Sequence, residues 1–294
     1  MEIKTDYQFV EGLDVTPEVR RSFDEKGYVI VRSLLGDEEI KKLHKAIEHN
    51  KGILKHRYSV GDGHGRNLGH VIWSHPGNDI TGVIAKSEKV GGFMGKLLGG
   101  EVYHYHSKMI MKSARTGGRF NWHQDYGYWY NNGCLYPYMG SVFIAFDKCD
   151  KENGCLQILP GSHKMGRVDH VKIQDQTGAD IERVEFAKQK LGLLHVELDV
   201  GDALFFHCNV LHCSSPNNSD RRRWSFIMCY NRKDNDPLWV HHHPSYTPME
   251  IVPNAAILGC PDEVDLAGKD FLNPREHEAV PFQEDEDNKT DEKK

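Results

Sequence analysis

Gly140-Ser141-Val142-Phe143-Ile144-Ala145-Phe146 and Trp224-Ser225-Phe226-Ile227-Met228-Cys229-Tyr230 are apolar runs too short for a core helix. They are rich in the β-branched and aromatic side chains that suit a pleated, buried surface. Similar runs recur around them at Tyr105 to Met111, Leu156 to Leu159, Leu193 to Leu198 and Ala203 to Phe206, separated by Gly, Asn and Pro. Repeated short strands without intervening helical patterns predict a mainly β antiparallel sandwich or jelly roll. Such folds reach roughly 200–250 residues as one domain. The expected organisation is therefore a single domain over 16–260, with a helix and strand block at 16–100 and the jelly-roll core at 101–235. An N-terminal extension precedes it at 1–15, and a polar tail follows at 261–294.

The N-terminal block opens on a helix signal, with Thr16 as N-cap, Pro17 at the first helical position and an apolar spacing at Val19 and Phe23. Gly27-Tyr28-Val29-Ile30-Val31 then reads as a strand, and Gly36-Asp37-Glu38-Glu39 opens a second helix through Ile40, Leu43 and Ile47. His163 to Lys190 is too polar and too long for a hairpin turn and reads as a loop, with a lid as one use for it. The terminal run Gln283-Glu284-Asp285-Glu286-Asp287-Asn288 has no apolar periodicity and reads as a solvated, disordered tail.

The 294 residues are 38% hydrophobic and 27% charged, with a formal net charge of -6. This balance gives no electrostatic reason to approach phosphate backbones or anionic lipid, so nucleic acid and membrane are poor partners and a small molecule is the expected ligand. No apolar run approaches the roughly 18 residues of a spanning helix, and the polar N-terminus lacks a secretory core, so a cytoplasmic protein is expected. Seven scattered cysteines without a C-x-x-C pair argue against both a disulfide framework and a structural zinc site. The oligomeric state is not legible.

Asn121-Trp122-His123-Gln124-Asp125-Tyr126 carries the sharpest chemistry. On a strand, residues i and i+2 face the same side, so His123 and Asp125 can offer an imidazole and a carboxylate to one metal while Gln124 points elsewhere. A second histidine would complete the two-histidine, one-carboxylate facial triad, whose open positions suit non-haem Fe(II), a bidentate co-substrate and O2. His195-Val196-Glu197 has the same spacing, but its polar residues alternate as an ordinary solvent-facing strand surface would.

The stretch from Gly201 to Ser214 offers His207 and His212 for the third position. His212 is favoured, because Arg223 follows it by 11 positions and opens a strand on which Arg223 and Ser225 share a face. A guanidinium buried there needs an anion, and its planar fork matches a carboxylate, such as one carried by the co-substrate. Each residue alone is compatible with ordinary packing or a solvated basic turn. Their combination on an all-β background points to one chemistry.

With these pieces the chain resembles the phytanoyl-CoA dioxygenase family, in the branch that includes ectoine hydroxylase and proline-hydroxylase-like proteins, over roughly residues 16 to 250. The resemblance rests on Phe23 to Val31, Trp122-His123-Gln124-Asp125, Glu152-Asn153-Gly154-Cys155-Leu156 through Pro160-Gly161-Ser162-His163, and Gly201-Asp202 through His212 to Arg223. It implies a double-stranded β-helix of the cupin type, iron on His123, Asp125 and His212, and the C5 carboxylate of 2-oxoglutarate on Arg223, with Ser225 on the same face. It also implies co-substrate contacts from Ser214, two positions past the distal histidine, and from Gln124. Ile110 stands where ectoine hydroxylase has an asparagine, which leaves Lys108 or Lys112 as candidate partners of the C1 carboxylate. Relatives that halogenate replace the carboxylate ligand with a small residue, so the presence of Asp125 favours hydroxylation. The implied cofactors are Fe(II), 2-oxoglutarate and O2, with ascorbate supporting turnover and succinate and CO2 released.

Tyr126-Gly127-Tyr128-Trp129-Tyr130 follows the motif directly. Tyr126, Tyr128 and Trp129 are the expected substrate contacts, since such rings can cage a quaternary ammonium by cation–π attraction; the alternative use for two or more of these rings is to cover the barrel end. The expected substrate is a free amino acid, a betaine or a quaternary ammonium compound. An acyl-CoA ester is the alternative, as is a cupin-like sensor that binds 2-oxoglutarate and metal without turnover. Zinc would not account for Arg223. His241-His242-His243 reads as a solvated loop, and His163 as turn punctuation.

Overall fold

A computed structural model describes residues 3–274 of the chain. Its strands are β1 (Asp6–Gln8), β2 (Tyr28–Arg32), β3 (Tyr58–Gly61), β4 (Asn67–Ser74), β5 (Val102–Lys112), β6 (Phe120–His123), β7 (Met139–Ala145), β8 (Leu156–Ile158), β9 (His170–Ile173), β10 (Gln176–Ala179), β11 (Leu194–Val196), β12 (Ala203–His207), β13 (His212–Ser214), β14 (Arg223–Arg232) and β15 (Asp270–Phe271). The helices are α1 (Pro17–Lys26), α2 (Asp37–Asn50), α3 (Ile80–Lys86), α4 (Phe93–Leu98), α5 (Asp125–Trp129), α6 (Ile181–Leu191) and α7 (Ala256–Gly259).

The N-terminal signals act as read. The Thr16 hydroxyl accepts from the Val19 N–H at 3.3 Å, which satisfies an orphan donor of α1. Gly27 ends the helix in the left-handed region at φ 80°, donating its N–H to the Phe23 carbonyl at 2.8 Å. A Cβ there would lie 2.5 Å from His163 Nδ1, so the position needs glycine twice over.

The strands form a nine-stranded sheet in the order β1-β2-β12-β7-β14-β5-β4-β15, with β3 also on β4. A four-stranded sheet, β11-β8-β13-β6, completes the expected jelly roll. Alternation along each strand of the large sheet feeds two cores. Val29 and Val31 of β2, Phe205 of β12 and Phe226 and Met228 of β14 pack towards Leu43, Ile47, Ile84 and Phe93 of the helices. Tyr28, Ile30, Leu204, Phe143 and Ile227 instead share a cluster with Leu156, Ile158 and Val196 on the small-sheet side. Both faces being covered explains why these strands read as continuous apolar runs and not as clean alternation. Among the described residues no helix is long and apolar enough to cross a membrane.

Three boundaries differ from expectation. The 16–100 block is no separate layer, because β2 pairs with β12 and β4 with β5, and β1 of the 1–15 extension pairs in parallel with β2. His163 to Lys190 is largely regular, with β9 and β10 forming a hairpin and α6 capped by Asp180, whose carboxylate accepts from the Arg183 N–H at 2.9 Å. Polarity misled there, since a two-stranded hairpin over the end of a sheet needs few apolar residues. The stretch after 261 is also not all tail: β15 pairs with β4, and Val264, Leu266 and Phe271 pack against the helix-side core. The expected disordered end, from 275 onward, lies outside the described residues.

Three histidines outside the expected ligand set give the fold an acid limit. Burial pulls His70 down to about 4 and His104 and His207 down to about 3 from an ordinary 6.5. Below pH 6.5 the unfolded chain therefore binds protons that the folded chain refuses, so stability falls with acid at up to about 1.4 kcal/mol per ring per pH unit. The urea midpoint of metal-free protein is expected to drop steadily between pH 6.5 and 4.5 and to gain nothing from these rings above that window. An acid-insensitive midpoint would contradict this burial.

Candidate active site

β6 ends at His123, Gln124 remains extended (φ -112°, ψ 136°), and Asp125 starts α5. Asp125 is thus not a strand residue, contrary to the sequence reading. The extended link nevertheless keeps the i and i+2 side chains on one side. β13 pairs with β6 in the register that sets His212 directly opposite His123. Cross-strand pairing thus brings the distant histidine to the near motif. The Nε2 atoms of His123 and His212 lie 4.0 Å and 3.9 Å from Asp125 Oδ1, and the two rings are 4.0 Å apart. Among the described residues these three form the one group of His, Cys, Asp or Glu donors close enough to share an ion. His207 packs instead by Phe23 and His163, and His195 sits on the outermost strand of the small sheet.

The surroundings prepare these donors for a cation. Nδ1 of His123 faces the Asn121 carbonyl at 2.8 Å, and Nδ1 of His212 faces the Val210 carbonyl at 2.9 Å. A carbonyl only accepts, so the proton sits on Nδ1 and the lone pair on Nε2, towards Asp125. Burial holds both imidazoles below their ordinary range and therefore neutral, as a ligand must be. Burial alone would raise the Asp125 carboxyl. Lys108, His212 and the Ser141 hydroxyl outweigh it and keep the group ionised. The Ser141 hydroxyl donates to Asp125 Oδ2 at 2.6 Å, and Lys108 Nζ lies 3.7 Å from Oδ1.

β14 and β5 pair so that Arg223 faces Lys112, Ser225 faces Ile110, and Ile227 faces Lys108. These alternate positions share the face that meets the small sheet, since Ile110 and Ile227 belong to that core. Arg223 is 1% exposed. It donates to the Gly154 carbonyl at 3.0 Å and to Ser225 Oγ at 3.3 Å, while its Nε has no partner. Lys112 is fully buried, donates to the Ser215 carbonyl, and is held well below the usual ammonium range by burial and by Arg223. Among the described residues no carboxylate is in ion-pair distance of either cation. A buried guanidinium without an anion, crowded by a lysine that burial already disfavours as an ammonium, costs several kcal/mol, which a dicarboxylate ligand would offset. Two imidazoles and a carboxylate suit Fe(II), and the guanidinium with its unpartnered Nε suits an acid group, so the residues present fit both expected cofactors.

The remaining candidates divide. Ser214 is buried on β13, two residues past His212. The Tyr128 ring lies 5.7 Å from His123 and its hydroxyl donates to the Thr177 carbonyl at 2.5 Å, which ties the β9–β10 hairpin to the site. Trp129 packs edge-on against His106. Tyr126 is no substrate contact: its hydroxyl donates to the carbonyls of Cys134 and Leu135 as its ring turns into the core, because the first turn of α5 rotates it away from Asp125.

Gln124 is also misassigned as a co-substrate contact. Its amide donates to the carbonyls of Gly166 and Asn209, both at 2.8 Å, and accepts from the Val168 N–H at 2.7 Å, so no N–H is left to donate to a co-substrate carboxylate. Gln124→Leu is accordingly expected to destabilise the protein by at least about 2 kcal/mol, since three backbone groups lose their partner. The KM for 2-oxoglutarate should move little. Denaturant midpoints and steady-state kinetics together check this, and the opposite pattern would restore a co-substrate role. An open cleft of about 850 Å³ between residues 11–14, 88–102 and 249–254 contains none of these groups.

The Phytanoyl-CoA dioxygenase (PhyH) family model matches residues 23–225. L-proline trans-4-hydroxylase of Streptomyces griseoviridis is 30% identical over 245 residues, covering 76% of this chain and 88% of that protein. Ectoine dioxygenase of Stutzerimonas stutzeri is 23% identical over 275 residues, covering 83% and 89%. Among solved structures, EctD from S. alaskensis with bound Fe superposes with a TM-score of 0.70 at 19% identity, covering 84% of this chain and 90% of that one. At that identity the superposition speaks for the jelly roll alone. The matched span begins in α1, holds both histidines, the aspartate and the buried arginine, and ends on β14 at Ser225; the chain belongs to the phytanoyl-CoA dioxygenase family.

Proposed function

We propose that the chain is an Fe(II)- and 2-oxoglutarate-dependent dioxygenase that hydroxylates an unactivated C–H bond of a small polar metabolite. The observation that carries this reading is the convergence of the His123, Asp125 and His212 donor atoms within 4.8 Å of one another, in a fold that also buries a guanidinium with no carboxylate partner among the described residues. Relatives named for proline hydroxylation and ectoine oxidation support the substrate size, and EctD has been solved with 2-oxoglutarate and 5-hydroxyectoine.

The overall reaction converts substrate, O2 and 2-oxoglutarate to hydroxylated substrate, succinate and CO2. The metal, when bound, supplies the activation of O2 that no side chain can. The protein's own residues position and shield. His123 and His212 present neutral Nε2 lone pairs fixed by their backbone partners, and Asp125 supplies the single negative charge, oriented by Ser141. Arg223, with Ser225 beside it, would grip the distal carboxylate and so set the orientation of the co-substrate. Tyr128 and the hairpin it anchors cover His123 and help exclude water.

The test is succinate formation from 2-oxoglutarate with Fe(II) and ascorbate, with and without a panel of free amino acids and betaines. Slow uncoupled succinate release without substrate, accelerated by at least one panel member, is expected. Tight iron and 2-oxoglutarate binding with no succinate under any condition would instead make the protein a sensor.

A further inference from the structure

Outward from the metal donors, His106 and Lys108 stand two residues apart on the inward face of β5. The segment after β14 folds back so that the His243 ring stacks on His106, with centroids 4.4 Å apart and planes at 22°. Trp129 meets His106 edge-on at 5.8 Å, and Tyr105 touches both Trp129 at 5.5 Å and His243 at 4.7 Å. Lys108 joins this wall to the candidate metal centre. Its Nζ is 3.7 Å from Asp125 Oδ1, and its charge reaches both imidazoles.

The wall offers the Lys108 ammonium and two imidazoles that burial holds neutral, each with one N–H to turn towards a ligand. Nδ1 of His106 and Nδ1 of His243 are buried without a hydrogen-bond partner. Among the described residues no carboxylate other than Asp125 pairs with Lys108, His106 or His243, and Asp125 is already engaged by Ser141 and the two candidate ligands. Such a surface disfavours a cationic head group, and Tyr126, which a cation cage would need, is turned into the core. Its complement is a pair of anionic oxygens.

Resting on the dioxygenase reading above, we propose that Lys108, His106 and His243 anchor a carboxylate of the substrate, which is therefore a small organic acid such as a free amino acid. His243 is the specificity-determining part of the wall. It lies beyond residues 23–225, which match the family model, so the pocket is completed by this chain's own C-terminal segment. Lys108 thereby serves the substrate and not C1 of 2-oxoglutarate.

Anaerobic protein loaded with Fe(II) and 2-oxoglutarate has a weak visible absorption that reports co-substrate loading independently of turnover. It is titrated with L-proline and a panel of other free amino acids, with the carboxamide of each, and with acid-free quaternary ammonium ions. At least one acid should perturb the absorption, and its carboxamide should bind at least about 10-fold more weakly, the lower bound for a charge-assisted hydrogen bond. His243→Phe should weaken the acid by at least about 10-fold, with His243→Gln recovering part of the loss and the starting absorption persisting in both variants as the control for folding. The proposal is overturned if amides or quaternary ammonium ions bind as well as the acids, if no acid perturbs the absorption, or if His243→Phe binds the acid as tightly as the wild type. Absence of that absorption in the wild type would sink the dioxygenase reading, and this proposal with it.

Discussion

Asp125→Ala is expected to leave the protein unable to retain one iron per chain and to reduce succinate formation to background. Asp125 is the only anionic donor of the three, and Lys108 stands 3.7 Å from its Oδ1. Two unit charges about 4 Å apart interact by roughly 4 kcal/mol at an effective dielectric near 20. Removing the carboxylate thus forfeits an attraction of that order for a divalent cation and leaves the Lys108 ammonium facing the same space as an unscreened repulsion. The loss should exceed the roughly 10–100-fold typical of an outer-hydrogen-bond partner. Ser141→Ala, which removes only the 2.6 Å hydrogen bond to Oδ2, should fall within that smaller range. Metal content after desalting and succinate release measure both. An Asp125→Ala protein that keeps stoichiometric iron would show that the two imidazoles suffice and that the carboxylate serves another purpose.

The strands were legible because each is a compact apolar run bounded by turn residues, and β5, β7, β8, β11, β12 and β14 fall within a few residues of where Tyr105, Gly140, Leu156, Leu193, Ala203 and Trp224 announce them. The alternation that sends Val29 and Val31 to one core and Tyr28 and Ile30 to the other was invisible, since a strand covered on both faces carries no period. Among the site residues, local spacing could relate His123 to Asp125. Only the β6–β13 register places His212 opposite His123, and no local pattern encodes a pairing across nearly ninety residues. Gln124 and Tyr126 went astray for a related reason. Their residue types suit a ligand, but the turn into α5 and the carbonyls of 134, 135, 166 and 209 claim their polar atoms. The wall at His243 had one sequence signal, three adjacent histidines. Stacking on His106 is a tertiary event, so the solvated-loop reading prevailed.

Arg223→Leu separates a binding role from a folding role because the two make opposite predictions for stability. A structural arginine is stabilised by the groups it bridges, and truncating it leaves them unpaired, at about 3–5 kcal/mol for a buried ion pair. Arg223 has no such ion pair: it donates to Gly154 and Ser225, its Nε is orphaned, and burial pulls it below the usual guanidinium range. Its charge also disfavours the ammonium of Lys112 directly across the strand pair. Without 2-oxoglutarate, therefore, Arg223→Leu should melt at the wild-type temperature or above it. With 2-oxoglutarate the order reverses. A ligand at 100 times its Kd stabilises the wild type by about 2.7 kcal/mol, roughly 5–10 °C for a domain of this size. The variant should show no comparable shift at that concentration, because losing one partner of a buried charge pair costs about 2–5 kcal/mol, on the order of 30- to 4000-fold in affinity. Iron retention should stay near wild type, since the guanidinium is not among the three donors. Melting curves of the metal-loaded protein with and without 2-oxoglutarate, alongside KM, test the whole pattern. A variant that melts several degrees low without ligand and loses iron in parallel would mean that Arg223 holds the sheet together and that the co-substrate's distal carboxylate is bound elsewhere.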